Sequence, residues 1–227
     1  METYSTHLNK YKMTKEQNIF WVKRNIVDYI WKSANLEGIQ ITYPETQCIV
    51  DGYVPKGLKV TDVVTINNLK HCWQFITENV DKIDKIDLDV IKELHKNIGA
   101  GLIDFYGQLR VYDARIGGTS WRPKIPNEFE VRNGIIDIME KEISETEKAL
   151  DLCLYLMRSQ IFMDGNKRTA MMAANMLMIR NGCGVLSIPQ DYQVEFFKFL
   201  VEFYETNDSK KIKEFLYHNC IDGMDFS

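Results

Sequence analysis

The sequence is poor in the features that mark several large classes of protein. It has five cysteines in 227 residues, and none of them forms a C-x-x-C pair, so neither a disulfide framework nor a cysteine zinc site is indicated. It has no apolar run close to the roughly 18 residues that a membrane-spanning helix requires. Residues 1–15 are polar and do not resemble a secretory signal peptide. We therefore expect reduced thiols, no membrane partner and a cytoplasmic protein.

The charge balance also excludes a class of partner. The chain has 28 basic and 32 acidic residues, a formal net charge of −4, whereas surfaces that bind nucleic acid or anionic lipid are normally basic. We therefore expect no nucleic-acid partner. Hydrophobic residues make up 45% of the sequence, which is enough for a sizeable core.

Apolar residues recur at helical spacing along most of the chain, which predicts a mainly α-helical fold. The predicted helices lie at residues 16–35, 69–80, 88–98, 135–143, 144–157, 192–204 and 209–219. The segment from Leu150 to Met157 is apolar nearly all round, so we expect it at the centre of the fold. The aromatic stripe between Phe196 and Tyr204 is predicted to be core rather than a stacking platform.

The segment 160–169, Q-I-F-M-D-G-N-K-R-T, has the composition of a turn that binds phosphate. Gly165 allows a tight turn and close backbone approach. Lys167 and Arg168 supply cationic donors, and Asp164 is a ligand type that suits a divalent metal. Strong helix formers follow, so the turn should sit at a helix N-terminus, where the dipole favours anions. The alternative is an ordinary interhelical turn with solvated charges.

This segment resembles the signature loop of the Fic family, H-x-F-x-D/E-G-N-G/K-R-x-x-R. The matching positions are Phe162, Asp164, Gly165, Asn166, Lys167 and Arg168. Two positions differ, because Gln160 stands at the place of the family's His and Met171 at the place of its last Arg. The resemblance extends from about residue 14 to residue 222, although its specific content lies in short motifs.

The resemblance implies a fold and a set of roles. The fold is a Fic-type helical bundle with a small β-hairpin flap. Asp164 would bind Mg²⁺, and Phe162 would anchor the loop in the core. The residues that would cradle the phosphates of ATP are Gly165, Asn166, Lys167 and Arg168. Family members commonly transfer AMP from ATP to a Ser, Thr or Tyr hydroxyl of a target protein, and a toxin branch with an N-K-R-T-A ending transfers phosphate.

Gln160 would occupy the seat of the general base. An amide has no proton acceptor that titrates near neutral pH, so it can orient a hydroxyl but cannot deprotonate it. Losing a positioned base typically costs about 10²- to 10⁴-fold in rate. Phosphoryl-type transfer depends mostly on positioning and charge, so some activity could survive. Of the four histidines, His95 falls on the apolar face of its helix and is predicted to be a core residue rather than a replacement base.

A second motif lies at the end of the first predicted helix. Thr14 and Gln17 form a capping-box pattern before the apolar face, and Gly38 is a plausible C-terminal stop. The last turn, Ser33 to Gly38, resembles the family's inhibitory motif S/T-x-x-x-E-G/N, whose Glu enters the nucleotide site in relatives. Without an Arg at position 171, Glu37 would have to pair with Arg168, Lys167 or a backbone amide. The alternative is a plain helix end.

Between Gly107 and Pro126 the pattern becomes glycine-rich and typical of β structure, which predicts a hairpin. It resembles the family's flap, whose edge pairs with an extended target segment. The residues assigned to target docking are Arg110, Val111, Tyr112 and Ile116. A plain surface hairpin is the alternative.

We therefore expect an N-terminal extension at residues 1–60, which holds the inhibitory-type helix, and a Fic domain at residues 61–227. The leading hypothesis is transfer of AMP or phosphate from ATP to a protein hydroxyl, weakened or altered by Gln160. The alternative is a non-catalytic module that senses nucleotide or binds a partner. The target is unknown, and homo-oligomer formation is left open.

Overall fold

The computed structural model describes residues 7–225, and these form a mainly α-helical fold. The helices are α1 (Lys15–Leu36), α2 (Tyr43–Val50), α3 (Val60–Asn79), α4 (Leu88–Gly99), α5 (Glu128–Met139), α6 (Glu145–Ser159), α7 (Asn166–Arg180), α8 (Gln193–Thr206) and α9 (Lys210–Asn219). The strands are β1 (Val185–Leu186) and β2 (Ile221–Asp222), which pair antiparallel. The mainly α prediction is confirmed.

The centre of the fold is the pair α6 and α7, which pack against each other. In α7 every residue from Thr169 to Ile179 is buried. Helices α1, α3 and α4 also pack against α7. The apolar character of α6 predicted this central position, and it is confirmed. The loop that joins the two helices is therefore mounted on two closely packed, well-buried helices.

Helix α1 begins and ends as the sequence predicts. The Thr14 side chain accepts a hydrogen bond from the Gln17 backbone N–H, and the Gln17 side chain accepts one from the Thr14 N–H, so the capping box is complete. Glu37 is the C-terminal cap, and Gly38 follows with φ 82°, a left-handed conformation that glycine adopts without strain. The motif of the last turn is thus held at a defined helix end.

Other elements depart from the prediction. Helix α2 was not predicted, α3 begins nine residues earlier than expected at Val60, and α5 ends at Met139. The segment between Gly107 and Pro126 contains no strand, because its backbone is held by side chains and by other loops rather than by a partner strand. The small β element of this fold, β1 with β2, lies elsewhere.

The division of the chain at residue 60 stays a prediction. Residues 1–6 of the predicted extension and residues 226–227 of the predicted Fic domain lie outside the described part. Helix α1 packs against both α3 and α7, so the N-terminal region shares the core of the rest. None of the helices between residues 7 and 225 combines the length and the apolarity needed to cross a bilayer.

The start of α1 is tied to the end of α7 by a close backbone approach at Gly182. The Met13 N–H donates to the Gly182 carbonyl at 2.9 Å. Gly182 has φ 67°, and a Cβ at this position would lie 1.8 Å from the Met13 carbonyl oxygen. Only glycine allows the two backbones to come this close.

We expect Gly182→Ala to lower the free energy of unfolding by about 1–3 kcal/mol more than Gly52→Ala, because of the steric clash. Gly52 is a matched control, since it also has positive φ (93°) but a Cβ added there would meet nothing within 4 Å. Urea unfolding of both variants measures the difference. Equal losses would show that only the backbone conformation matters at position 182.

Candidate active site

The loop of residues 160–165 joins α6 to α7 through two left-handed residues. Gln160 has φ 46° and Gly165 has φ 71°. A Cβ at Gly165 would come within 3.1 Å of Ile103 Cδ1 and 3.2 Å of Ile98 Cγ2, so a larger residue would press on these two side chains as well as strain the φ angle. Gln160 is an uncommon residue at positive φ, and such outliers cluster at functional sites.

Asn166 closes the loop on itself. Its side-chain amide donates to the Phe162 carbonyl at 2.8 Å and accepts from the Phe162 N–H at 2.9 Å. Phe162 is buried, as expected for an anchor. Because the Asn166 side-chain amide is already paired in this way, its contribution to a ligand would come from its backbone N–H, and its assignment to phosphate binding stays a prediction.

His95 of α4 holds the same loop through contacts with Phe162 and Asp164. The sequence did not predict this role. The His95 ring stacks on Phe162 with centroids 3.8 Å apart and planes 4° apart. Its Nδ1 accepts from the Gly107 N–H at 2.7 Å, so its Nε2 carries the proton and donates to the Asp164 carbonyl at 2.9 Å. Burial lowers the pKa of His95, and its hydrogen bond to Asp164 opposes this. The core assignment is confirmed, and neither ring nitrogen is free to act as a base.

The N-terminus of α7 presents donors without a capping side chain. Gly165 is the N-cap and supplies no side chain. The first backbone N–H groups of α7 have no partner within the helix, because helical hydrogen bonding leaves the first turn of donors unused. Lys167 and Arg168 lie in the same turn, where the helix dipole already favours negative charge. This end of α7 is therefore an anion site in the part of the chain that the structure describes.

Glu37 occupies that anion site from the end of α1. Its Oε2 lies 3.2 Å from Arg168 Nε, and its Oε1 lies 3.5 Å from Lys167 Nζ. The side chain of Arg168 is 9% exposed and that of Glu37 17% exposed, so the pair is largely shielded from water. The expectation that Glu37 pairs with Arg168 or Lys167 is confirmed.

Met171 fills the neighbouring position, one turn further along α7. It is 5% exposed and lines a small cavity with Ser33, Glu37 and Arg168. The place of the family's last Arg is thus taken by an uncharged side chain in the core. The inhibitory assignment of Ser33, Glu37 and Gly38 stays a prediction, because the structure gives their positions and not their effect.

Asp164 is a suitable ligand for Mg²⁺. Its side chain is 73% exposed, and the carboxylate lies 3.8 Å from Arg168 Nη2. The described residues contain no group of three or more His, Cys, Asp or Glu that could enclose a metal. A single carboxylate nevertheless fits Mg²⁺, which is usually held by one or two carboxylates together with waters and substrate phosphates.

A pocket of about 320 Å³ opens above the loop and the N-terminus of α7. Its walls come from α1, α7, α8 and the flap segment, and they are Glu37, Arg115, Ile116, Gly117, Gln160, Met163, Asp164, Gly165, Asn166, Lys167, Phe197, Leu200, Val201 and Tyr204. Four of the predicted phosphate and metal residues therefore share one pocket with Gln160. The fifth, Arg168, does not line the pocket itself, but it pairs with Glu37, which does.

The lining of this pocket offers no imidazole in place of Gln160. The Gln160 amide donates to the Met157 carbonyl at 2.6 Å. Burial raises the pKa of the Tyr204 hydroxyl, and a hydrogen bond with Gln160 opposes this rise, so Tyr204 stays protonated near neutral pH. None of the four histidines, all within residues 7–225, lines the pocket.

The flap residues divide into two groups. Val111 and Tyr112 are both 67% exposed, which suits the predicted docking role. Arg110 is 2% exposed, and it donates to the carbonyls of Gln160, Tyr112, Pro123 and Lys124. Its side chain therefore cannot meet a target, because it joins the flap to the loop. Ile116 is half-buried and lines the pocket at the start of α7, and its docking role stays a prediction.

Two further contacts fix the flap. The Arg158 guanidinium lies 3.5 Å from the Trp121 ring centroid, a cation–π contact. Glu205 accepts from Thr119 Oγ1 at 2.5 Å, from the Ser120 N–H at 2.5 Å and from Ser120 Oγ at 2.7 Å. These hydrogen bonds lower the pKa of Glu205 to about 2.

The lowered pKa predicts how the flap responds to acid. A carboxylate whose pKa is lower in the folded state stabilises that state above its unfolded pKa, which is about 4.3 for Glu, and this contribution is lost as the pH falls towards about 2. We therefore expect the Ser120 amide to keep its protection from exchange down to about pH 4. Glu205→Gln should remove most of that protection. Glu202→Gln on the same helix, which loses only an exposed pair with Lys211, should not.

A second, larger concavity adjoins the pocket. This groove of about 620 Å³ runs between residues 102–105 and the flap residues 108–112, and Met163 and Asp164 line it as well as the pocket. Val111 and Tyr112 form part of its wall. The pocket at the start of α7 and an exposed groove beside the flap therefore meet at Met163 and Asp164.

Comparison with known proteins agrees with this geometry. Residues 85–178 match the Fic/DOC family, and the chain therefore carries a Fic/DOC family domain. A curated relative, protein adenylyltransferase fic-1 of Caenorhabditis elegans, is 24% identical over 182 residues, which cover 76% of this chain and 35% of the relative. The chain thus spans about a third of that relative's length.

Solved structures share the fold. The structure of Caenorhabditis elegans Fic-1 superposes with a TM-score of 0.75 at 20% identity, covering 86% of this chain and 61% of the other. BepC from Bartonella tribocorum, solved with bound AMPPNP, gives a TM-score of 0.52 at 13% identity and covers 69% of this chain and 88% of the other. At these identities the likeness concerns the fold.

Proposed function

We propose that this protein binds Mg²⁺ and ATP at the N-terminus of α7 and transfers AMP to a hydroxyl side chain of a target protein. The observation that carries the proposal is the meeting of two concavities at Met163 and Asp164. One is lined by phosphate-binding groups, and the other lies beside the exposed flap residues. A donor in the first would face an acceptor in the second.

The reaction requires a defined set of bonds to change. The target hydroxyl oxygen attacks the α-phosphorus of ATP, the bond from that phosphorus to the bridging oxygen breaks, and pyrophosphate leaves. The hydroxyl proton must also be lost, and without an imidazole at position 160 it would pass to solvent water or to a phosphate oxygen of the nucleotide. If the γ-phosphorus is attacked instead, phosphate is transferred and ADP leaves, which is the alternative that the N-K-R-T-A ending raises.

The chain's own groups suit the charge of this reaction. The free N–H groups at the start of α7, Lys167 and Arg168 donate to phosphate oxygens. Mg²⁺ held by Asp164 would neutralise further phosphate charge. Catalysis of phosphoryl-type transfer rests largely on such positioning and charge stabilisation. The relative fic-1 is a protein adenylyltransferase by name, which supports the proposed transfer of AMP.

Glu37 would act as an inhibitor within the same chain. Its carboxylate lies against the two cations that a terminal phosphate would use. Nucleotide phosphate and Glu37 would compete for these donors by charge and by space. Ser33 and Gly38 define the helix end that presents the carboxylate.

Gln160 supports a second reading, a non-catalytic module that senses nucleotide or binds a partner. A side chain without a titratable acceptor stands where the base is expected, and no histidine lines the pocket. Both readings retain the pocket and the flap groove, and they differ in turnover. The target, the oligomeric state and the cytoplasmic location belong to the proposal in either reading.

Arg168→Ala tests the nucleotide site. Losing a charge-assisted contact to phosphate should weaken ATP binding by about 10- to 150-fold, measured by titration calorimetry with Mg²⁺. Arg132→Ala is the control, because Arg132 pairs only with surface residues Asp89 and Glu128. If both variants bind ATP like the unchanged protein, the assignment of this pocket is incorrect.

Gln160→His tests the transferase reading. It restores an imidazole whose pKa suits proton removal near neutrality, and His tolerates positive φ better than most residues. Combined with Glu37→Gly, we expect labelling from ATP to rise about 10²- to 10⁴-fold. Gln160→Asn with Glu37→Gly is the matched control, since it lacks a base.

The readout uses ATP labelled at the α- or the γ-phosphate, incubated with the protein and cell lysate. Label from the α-position indicates AMP transfer, and label from the γ-position alone indicates phosphate transfer. Absence of label with the His variant, while ATP still binds, would favour the non-catalytic module.

A further inference from the structure

A small, largely enclosed cavity lies behind the pair of Glu37 and Arg168, between α1, α3 and α7. It measures about 10 Å³ and is lined by Ser33, Leu36, Glu37, Leu69, Trp73, Arg168, Met171, Met172 and Asn175. Of these residues, only Glu37 also lines the larger pocket at the start of α7. The cavity is therefore a separate space on the inner side of the carboxylate.

Three buried polar atoms of its lining residues have no hydrogen-bond partner within the described residues. They are Glu37 Oε1, Arg168 Nε and Trp73 Nε1. Arg168 Nε lies 3.2 Å from Glu37 Oε2, yet it makes no hydrogen bond, so the contact is an ion pair with poor alignment. Trp73 is 1% exposed, and it cannot reach bulk water with its indole N–H.

Unpaired polar atoms in a protein interior are costly and uncommon. In the described part of the chain, these three lie on residues around one cavity rather than at scattered places in the core. Their shared position points to one common partner rather than three independent defects.

One water molecule fits this space and these groups. A buried water needs about 10–15 Å³ and two to four polar partners. Its two lone pairs suit the N–H groups of Trp73 and Arg168, and one of its protons suits Glu37 Oε1. Ser33 also lines the cavity, and its hydroxyl oxygen suits the second proton. A cation is disfavoured, because two of the groups are N–H donors.

We propose that a single water bridges the Trp73 indole N–H, Arg168 Nε and Glu37 Oε1, and that Trp73 is thereby a positioning residue for Glu37. The bridge aligns a carboxylate whose direct contact with Arg168 lacks a hydrogen bond. It also holds Glu37 from the side of the cavity, where Met171 offers no charge. The effect on nucleotide affinity rests on the proposed function, whereas the bridge does not.

Nuclear magnetic resonance of the ¹⁵N-labelled full chain tests the bridge without nucleotide. The Trp73 indole proton should show a cross-peak to a long-lived water, and Glu37→Gln should shift that indole resonance. The indole of Trp21 is the control, because its Nε1 donates directly to Asp222 Oδ2 at 3.1 Å. A Trp73 indole with no water cross-peak, or one that Glu37→Gln leaves in place, would overturn the proposal.

A double-mutant cycle tests the positioning role. Trp73→Phe removes the indole donor, and it should tighten ATP binding by about three- to tenfold when Glu37 is present. In a Glu37→Gln background the same substitution should change ATP affinity much less, since a purely structural effect of the smaller ring would persist there. Equal effects in both backgrounds would refute the positioning role.

The two measurements separate the possible failures. If the resonances behave as expected but neither Glu37→Gln nor Trp73→Phe alters ATP affinity, the bridge stands and the competition between Glu37 and phosphate is refuted. If Trp73→Phe does not fold, the response of the indole resonance to Glu37→Gln still decides whether the bridge exists.

Discussion

The burial of α7 on nearly every side is the constraint on which the candidate site depends. A helix that is enclosed from Thr169 to Ile179 cannot shift or rotate without disrupting packing close to the density of a crystal. Its N-terminus is therefore fixed in position. That end bears a partial positive charge of about half an elementary charge and two cationic side chains, and no side chain caps it. Such an arrangement needs an anion, and in this structure the anion is Glu37.

Helix α1 delivers that anion because it is tied to both ends of α7. Residue Met13, just before α1, contacts Gly182 after the end of α7, and Glu37 at the end of α1 meets Arg168 at the start of α7. The two helices thus run in opposite directions with a contact at each end. The Glu37 carboxylate can change position by rotation of its side chain or by a rearrangement of the last turn of α1. A movement of the whole helix would also break the contact at Gly182.

The sequence predicts the parts of this arrangement that depend on local patterns. The capping box at Thr14, the end of α1 near Gly38 and the central position of α6 follow from spacing alone, and the short motifs bring Glu37 and Arg168 into one hypothesis. The positioning residues were harder to predict. His95 and Arg110 bond to backbone carbonyls and amides that are distant in sequence. Every residue has such backbone groups, so the residue pattern cannot predict which of them a side chain will meet.

The flap is a case in which local sequence pattern predicted an element that the structure does not contain. Its alternating residues predicted a hairpin, but Arg110 takes up several carbonyls of the segment, and Glu205 and Arg158 fix its far end. A strand needs its backbone groups free to pair with a neighbour, and here side chains occupy many of them. Only the fold brings these side chains to the flap, so propensity alone could not have excluded the hairpin.

Met171 and Gln160 show that the architecture of the loop and of α7 does not depend on an Arg or a His at these two positions. A buried charge is costly unless it is well paired, so replacing an Arg with Met in α7 removes a charge that would otherwise need Glu37 or phosphate at all times. The remaining cations, Lys167 and Arg168, lie at the helix N-terminus, where anions are favoured in any case. Gln160 keeps its place because its carbonyl accepts from Arg110 and its amide donates to Met157, and neither contact requires an imidazole. The contacts that hold the loop in place are therefore independent of an imidazole at position 160, and the cationic N-terminus of α7 keeps its geometry without one.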